Sequence, residues 1–208
     1  MPKTIITISR QFGSGGREVG RLIAEKLGIK CYDKEIISKI SEKSGFTEQY
    51  IQEAGEDVEG GLFTGLGNVG FYEQSNRLAI WNEQCRVIKN LAKEDCVIVG
   101  RCADYVLKDE KDVELIKAFI YADMDFRAKR IVELYEESPI NPEKRLKEKD
   151  KRRSAYYEIY TDQTFGDLLN YDFCLNSSSL TLDRCADIIV DEYKKEVTKL
   201  LQISKISC

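Results

Sequence analysis

A β-branched run, a glycine-rich turn and an amphipathic helix follow one another at the start of this chain. No other feature constrains the fold as much. Thr4-Ile5-Ile6-Thr7-Ile8-Ser9 is nearly continuous in β-branched content, the pattern of a strand buried on both faces in a parallel sheet. Gln11 to Gly16 (QFGSGG) turns the chain. From Arg17 the residues Val19, Leu22, Ile23 and Leu27 share a helical face, and Gly28 ends the helix. Such a corner gathers backbone N–H groups at the positive end of a helix, which suits a phosphate. The alternative is a tight connection that needs glycine for packing alone.

The same alternation continues along the chain. A short strand is expected around 29–32, and Asp33 opens a helix carrying Ile36, Ile37 and Ile40. Cys96–Gly100 (CVIVG), Ile116–Tyr121 (IKAFIY) and Asp172–Asn176 (DFCLN) read as further buried strands. Helices are expected over about 72–93, with a stripe of Leu78, Trp81, Cys85, Ile88 and Ala92, over 123–137, and from Thr181. Trp81 and Phe119 are assigned to the core. Residues 47–70 differ in character: Glu48, Glu53, Glu56, Asp57 and Glu59 have no compensating base, and five glycines follow, so a mobile loop is expected. Strands alternating with helices define an α/β parallel sheet. Ligands of such sheets bind beyond the carboxyl ends of the strands.

Composition narrows the chemistry. The 208 residues make one domain the natural size. With 32 basic and 36 acidic side chains, net −4, the chain is unlike a dedicated nucleic-acid binder. No apolar run reaches the ~18 residues of a membrane span, and Met-Pro-Lys begins neither a signal nor a transit peptide. No partner membrane or nucleic acid is expected, and the oligomeric state stays open. There is no histidine, so Ser-His-Asp, Cys-His and mixed Cys/His zinc sites are excluded. Seven cysteines without a CxxC pair read as reduced thiols, which places the protein in the cytoplasm. Chemistry must therefore run on Asp, Glu, Lys, Arg, backbone amides or a metal.

Several segments, in order, resemble the cytidylate kinase-like family of P-loop proteins. Ile8–Glu25 (ISRQFGSGGREVGRLIAE) looks like its opening, and Cys31–Ile37 (CYDKEII) like its second signature. Val97–Arg101 (VIVGR) is similar to the strand ending in Gly-Arg that serves the acceptor. Phe126–Arg130 (FRAKR) resembles the arginine-bearing helix before the lid. Asp150–Arg153 with Tyr156-Tyr157 resembles the lid return, and Tyr171-Asp172 the last strand. The resemblance implies a P-loop NTPase fold: a central, mostly parallel five-stranded sheet flanked by helices, as one domain over 1–208. It also implies an acceptor-binding helical insertion over 34–93 and an arginine-rich lid over 138–165. It implies transfer of a phosphoryl group from ATP with Mg2+ to a nucleoside monophosphate such as CMP or dCMP.

Carried onto this sequence, the family pattern assigns Gly13, Ser14, Gly15, Gly16, Arg17 and Glu18 to ATP, and Asp33 and Arg101 to the acceptor. Arg17, Arg127, Arg130 and Arg153 would stabilise the transferring phosphate, since phosphoryl transfer asks chiefly for positioning and positive charge and Arg suits bidentate phosphate contacts. The pattern is not met throughout. Aligned without a gap, Gly16 stands where the P-loop Lys belongs and Arg17 where Ser/Thr belongs. Shifted by one, Arg17 replaces the Lys and Glu18 the hydroxyl. Glu18 either holds the metal or stabilises the helix N-terminus. Asp33 either contacts the acceptor or caps the next helix. Arg127 and Arg130 lie three apart on one helix face, and residues 143–153 carry seven basic and three acidic side chains, either a functional face or a solvated one. Metal ligands are not assigned. A nucleotide-binding regulator without catalysis, and a kinase for another small acceptor, are the competing readings.

Overall fold

The structure, a computed structural model, describes residues 2–56, 71–135 and 138–206. Five strands form one sheet in the order β2-β3-β1-β4-β5. They are β1 (Lys3–Arg10), β2 (Lys30–Tyr32), β3 (Cys96–Val99), β4 (Val113–Tyr121) and β5 (Phe173–Asn176). All four pairings are parallel, with Ile6 opposite Val97 on one side and Ile116 on the other. The expected α/β fold is therefore the observed one.

β1 lies at the centre because it is apolar on both faces. Ile6 and Ile8 pack with Val97, Val99, Ala118 and Ile120 under α1 (Gly16–Leu27) and the C-terminal helix (Leu182–Ile206). Ile5 faces the opposite way, with Cys96 and Ile98, under α2 (Glu35–Ser44), α3 (Glu48–Glu56) and α4 (Phe71–Leu91). Ile5, Ile6 and Ile8 are fully buried, each contributing roughly 1.5–3 kcal/mol by leaving water. The remaining helices are α5 (Ala103–Leu107), α6 (Met124–Tyr135), α7 (Pro142–Thr161) and, from Leu182 to Ile206, α8, with a 3-10 turn at Leu168–Asn170. Pro142 opens α7, where its missing N–H has no partner to lose.

Three expectations change. The acidic stretch after 47 is helical through Glu56, because Ile51 is fully buried against α2 and α4 and anchors one turn; the remainder of that expected loop, 57–70, lies outside the described residues. In α4 the buried face is Ile80, Gln84, Val87, Ile88 and Leu91, while Leu78 is exposed. Trp81 is not in the aliphatic core: it stacks on Tyr160 of α7, ring centroids 4.4 Å apart. The six described cysteines are all free thiols, as expected. Among the described residues no helix is long and apolar enough to cross a membrane.

Candidate active site

The glycine corner sits where β1 ends. Gly13 (φ 79°) and Gly15 (φ 81°) adopt left-handed backbone that disfavours a side chain. Space excludes one as well: a Cβ at Gly15 would meet Leu182 Cδ2 at 2.6 Å, and one at Gly16 would meet Arg10 Cβ at 2.6 Å. Ser14 is turned under the loop, its hydroxyl 3.0 Å from the carbonyls of Gln11 and Ile120. Its carbonyl accepts from Ser177 at 2.6 Å. Among the described residues, the amides of Gly13, Gly15, Gly16 and Arg17 meet no backbone carbonyl, so they stay available to an anion.

Two clefts meet at this corner. The smaller, about 190 Å³, is bordered by the loop from Arg10 to Gly16 and by Arg17, Tyr135 and Arg153. The larger, about 350 Å³, runs over the carboxyl ends of β1 and β3 between α2, α3 and α7. Asp33, Arg101, Glu48, Gln52 and Tyr157 are among its walls. Arg10, Arg17 and Arg153 border both clefts. Arg10 ends β1, so the strand itself aims it. Its guanidinium occupies the space that a Cβ at Gly100 would need.

The electrostatics of this junction favour an anion. The Arg10 side chain is 18% exposed and lies 3.9 Å from Asp33. Burial, and then the neighbouring charge of Arg153, push its pKa down to about 9; Arg17 and Arg101 act in the same direction and Asp33 opposes them. A guanidinium rarely gives up its proton, so the direction marks crowded positive charge away from water. Arg17 is ion-paired through Nε to Asp33. Arg153 donates to the Arg10 carbonyl at 3.1 Å, and its guanidinium lies over the Phe12 ring.

The sequence-predicted residues thus divide. Arg17, Asp33, Arg101 and Arg153 gather in the larger cleft, and Gly13, Gly15 and Gly16 in the smaller. Asp33 does not cap α2: the residue before the helix is Lys34, and the Asp33 carboxylate faces the arginines instead. Arg127 and Arg130 leave the same helix but meet different partners. Arg127, 5% exposed, is ion-paired with Asp150 and donates to the Phe12 carbonyl at 3.3 Å. Arg130 is ion-paired with Glu18, and its Nε is buried without a hydrogen-bond partner. That Nε lies 3.3 Å from the Cβ position at Gly15. Sequence reasoning placed Arg10 only within reach of the glycine loop; a charged residue ending a buried central strand is a signal for its larger place at the junction.

A glycine corner on a parallel five-stranded α/β sheet, followed by an arginine-rich helix pair, gives the chain the fold of the P-loop kinases. The chain belongs to the cytidylate kinase-like family, whose model matches residues 5–179. A cytidylate kinase of Archaeoglobus fulgidus is 26% identical over 201 residues, covering 95% of this chain and 98% of that protein. A cytidylate kinase of Halobacterium salinarum is 27% identical over 99 residues, 48% of this chain and 50% of that protein. Among solved structures, an uncharacterized protein from Eubacterium ventriosum matches with TM-score 0.66 at 30% identity, over 91% of this chain and 98% of that one. A shikimate kinase from Acinetobacter baumannii, in complex with shikimate, matches with TM-score 0.51 at 17% identity over 94% of each chain, a likeness of fold alone.

Proposed function

We propose that this protein transfers the γ-phosphoryl group of ATP to a nucleoside monophosphate in the cytoplasm, with CMP and dCMP the first candidates. The observation carrying this reading is that Arg10, Arg17 and Arg153 border both clefts. Three cations between a phosphate loop and a second anion site suit a phosphoryl group in flight.

In this reading the amides of Gly13, Gly15, Gly16 and Arg17 hold the ATP phosphates. The orphaned Arg130 Nε turns to the same phosphates. Arg101, just past the β3 end, and Asp33, just ahead of the expected helical insertion (34–93), hold the acceptor at the far wall. Helix α7 is the lid: Arg153 closes over the transferring group, and the lid keeps out water that would hydrolyse ATP. The acceptor phosphate is its own nucleophile. Its second pKa is near ~6, so it is already deprotonated at neutral pH and needs no general base. That suits a chain without histidine. A hydroxyl acceptor would need a base, and the Asp33 carboxylate is already ion-paired to Arg17.

The usual hydroxyl for magnesium is missing, since Arg17 or Glu18 stands at its place, and the nearby Ser14 is committed to carbonyls. Glu18 fits the role instead. It is half-exposed in the first turn of α1, its amide bonded to the Gly15 carbonyl, and magnesium needs only one or two carboxylates beside phosphate oxygens and water. The metal when bound neutralises phosphate charge.

One observation favours a second reading, a nucleotide-binding regulator. Arg17, Arg127 and Arg130 each already hold a carboxylate, so nucleotide must displace Asp33 and Glu18 before phosphate meets Arg17 and Arg130. Acceptor-dependent ADP release separates the two readings.

A further inference from the structure

The backbone that presents Arg101 is unusual. Gly100 (φ 77°), Arg101 (φ 60°) and Cys102 (φ 53°) are left-handed in succession at the end of β3. Two of the three carry side chains, and such a corner persists only where its surroundings over-determine it. Among the described residues no backbone amide reaches the Arg101 carbonyl. Its partner is a side chain: Gln84 Nε2, from the buried face of α4, donates to it at 3.0 Å.

Gln84 is fully buried, so both ends of its amide need partners. A carbonyl can only accept, which sets the nitrogen toward Arg101 and the oxygen away from it. That oxygen accepts from the Tyr156 hydroxyl of α7 at 3.1 Å. The next residue, Tyr157, donates to Asp104 Oδ2 at 2.7 Å, three residues beyond Arg101. Adjacent tyrosines of α7 therefore hold the corner on both sides. One turn before Gln84, Trp81 stacks on Tyr160 and fixes the same pair of helices.

We propose that Gln84 is a positioning residue that transmits the placement of α7, through Tyr156, to the backbone of Arg101. The proposal rests on the kinase reading for the role of Arg101, though not for the relay itself. When α7 sits against α4, Tyr156 orients the Gln84 amide and the amide holds the Arg101 carbonyl, so the acceptor-side arginine is set. When α7 moves away, Gln84 loses the donor that orients it, and the left-handed corner loses one of its restraints. Acceptor binding is thereby tied to lid position through a buried amide.

The experiment compares wild type, Gln84→Leu, Tyr156→Phe and the double variant in steady-state assays with ATP–Mg2+ and CMP. Gln84→Leu is expected to raise the KM for CMP at least tenfold, with the KM for ATP changed less than twofold. Tyr156→Phe is expected to act in the same direction by three- to fivefold. The double variant should be no worse than Gln84→Leu, because both break one chain of contacts. Emission from Trp81, the only tryptophan, reports whether α4 and α7 remain packed; unchanged emission assigns the effect to the relay. Equal rises in both KM values, multiplicative effects, or no change for CMP would overturn the proposal. Should wild type phosphorylate no nucleoside monophosphate, the kinase reading fails, and the relay is read by amide NMR of 15N-labelled protein. Tyr156→Phe should then move the Arg101 and Cys102 resonances in the same direction as Gln84→Leu; resonances left in place would contradict it.

Discussion

Asp150 accepts the backbone N–H of Phe12 at 2.7 Å. Helix α7 is thus latched to the glycine loop through a main-chain amide. The other carboxylate oxygen is ion-paired with buried Arg127, so latch and counter-charge are one group. Removing Asp150 strands a guanidinium that is 5% exposed. Asp150→Ala is expected to cost about 3 kcal/mol, the lower end for an orphaned buried charge because Asp150 itself is partly exposed. Urea unfolding measures this. A companion Arg127→Met in the same chain should recover part of the loss.

The arginines of one helix should separate by phenotype. Arg130→Ala should lower turnover by roughly 10²-fold, the order expected for one donor at developing charge, with little change in stability. Arg127→Ala should act on stability first. Arg153→Ala should lower turnover at least tenfold. Kinetics and thermal melts on the three variants check this assignment, and an unchanged rate for Arg153→Ala would remove the lid role.

Asp33 faces Arg10 and Arg17 in the larger cleft, where it occupies the place of an anion. Asp33→Asn is expected to lower stability by about 1 kcal/mol in anion-free buffer, a modest figure because Arg17 is partly exposed. Inorganic phosphate should then raise the melting temperature more in the variant than in wild type. Equal shifts would show that Asp33 does not compete with phosphate.

Burial pushes the Cys31 thiol up to about 11 and the Cys96 thiol up to about 12, with Asp33 and Asp95 the next contributors. Both folded values lie above the ordinary 9.0, so the native state keeps protons that the unfolded chain releases. Their contribution to stability is complete below about pH 9 and is lost as pH rises toward 11–12. Tyr156 and Tyr157, pushed up by burial, act in the same direction as the thiols. Melting temperature should fall as pH rises from about 9 to about 11, and Cys96→Ala should flatten the slope.

Much of this was legible in the sequence because it is local. Strand, glycine corner and helix carry their periodicity within twenty residues, so β1, α1 and the glycine turn between them could be placed by pattern alone. β3, β4 and β5 are apolar runs that fit only a buried sheet. Partnerships were not legible. Nothing near Arg127 indicates Asp150, 23 residues away, and nothing near Gln84 indicates Tyr156, 72 residues away. α3 was misread because its acidic face outweighed a single buried isoleucine, Ile51. Arg10 was undervalued because its meaning depends on Arg153, brought to it only by the fold.

The most direct test is ADP release from ATP–Mg2+ against a panel of nucleoside monophosphates, beside a control without acceptor. The account predicts release that depends on acceptor, greatest with CMP or dCMP, and lost in Arg17→Ala. Measurable ATP binding with no acceptor-dependent release across the panel would contradict it and leave a nucleotide-binding regulator as the better description.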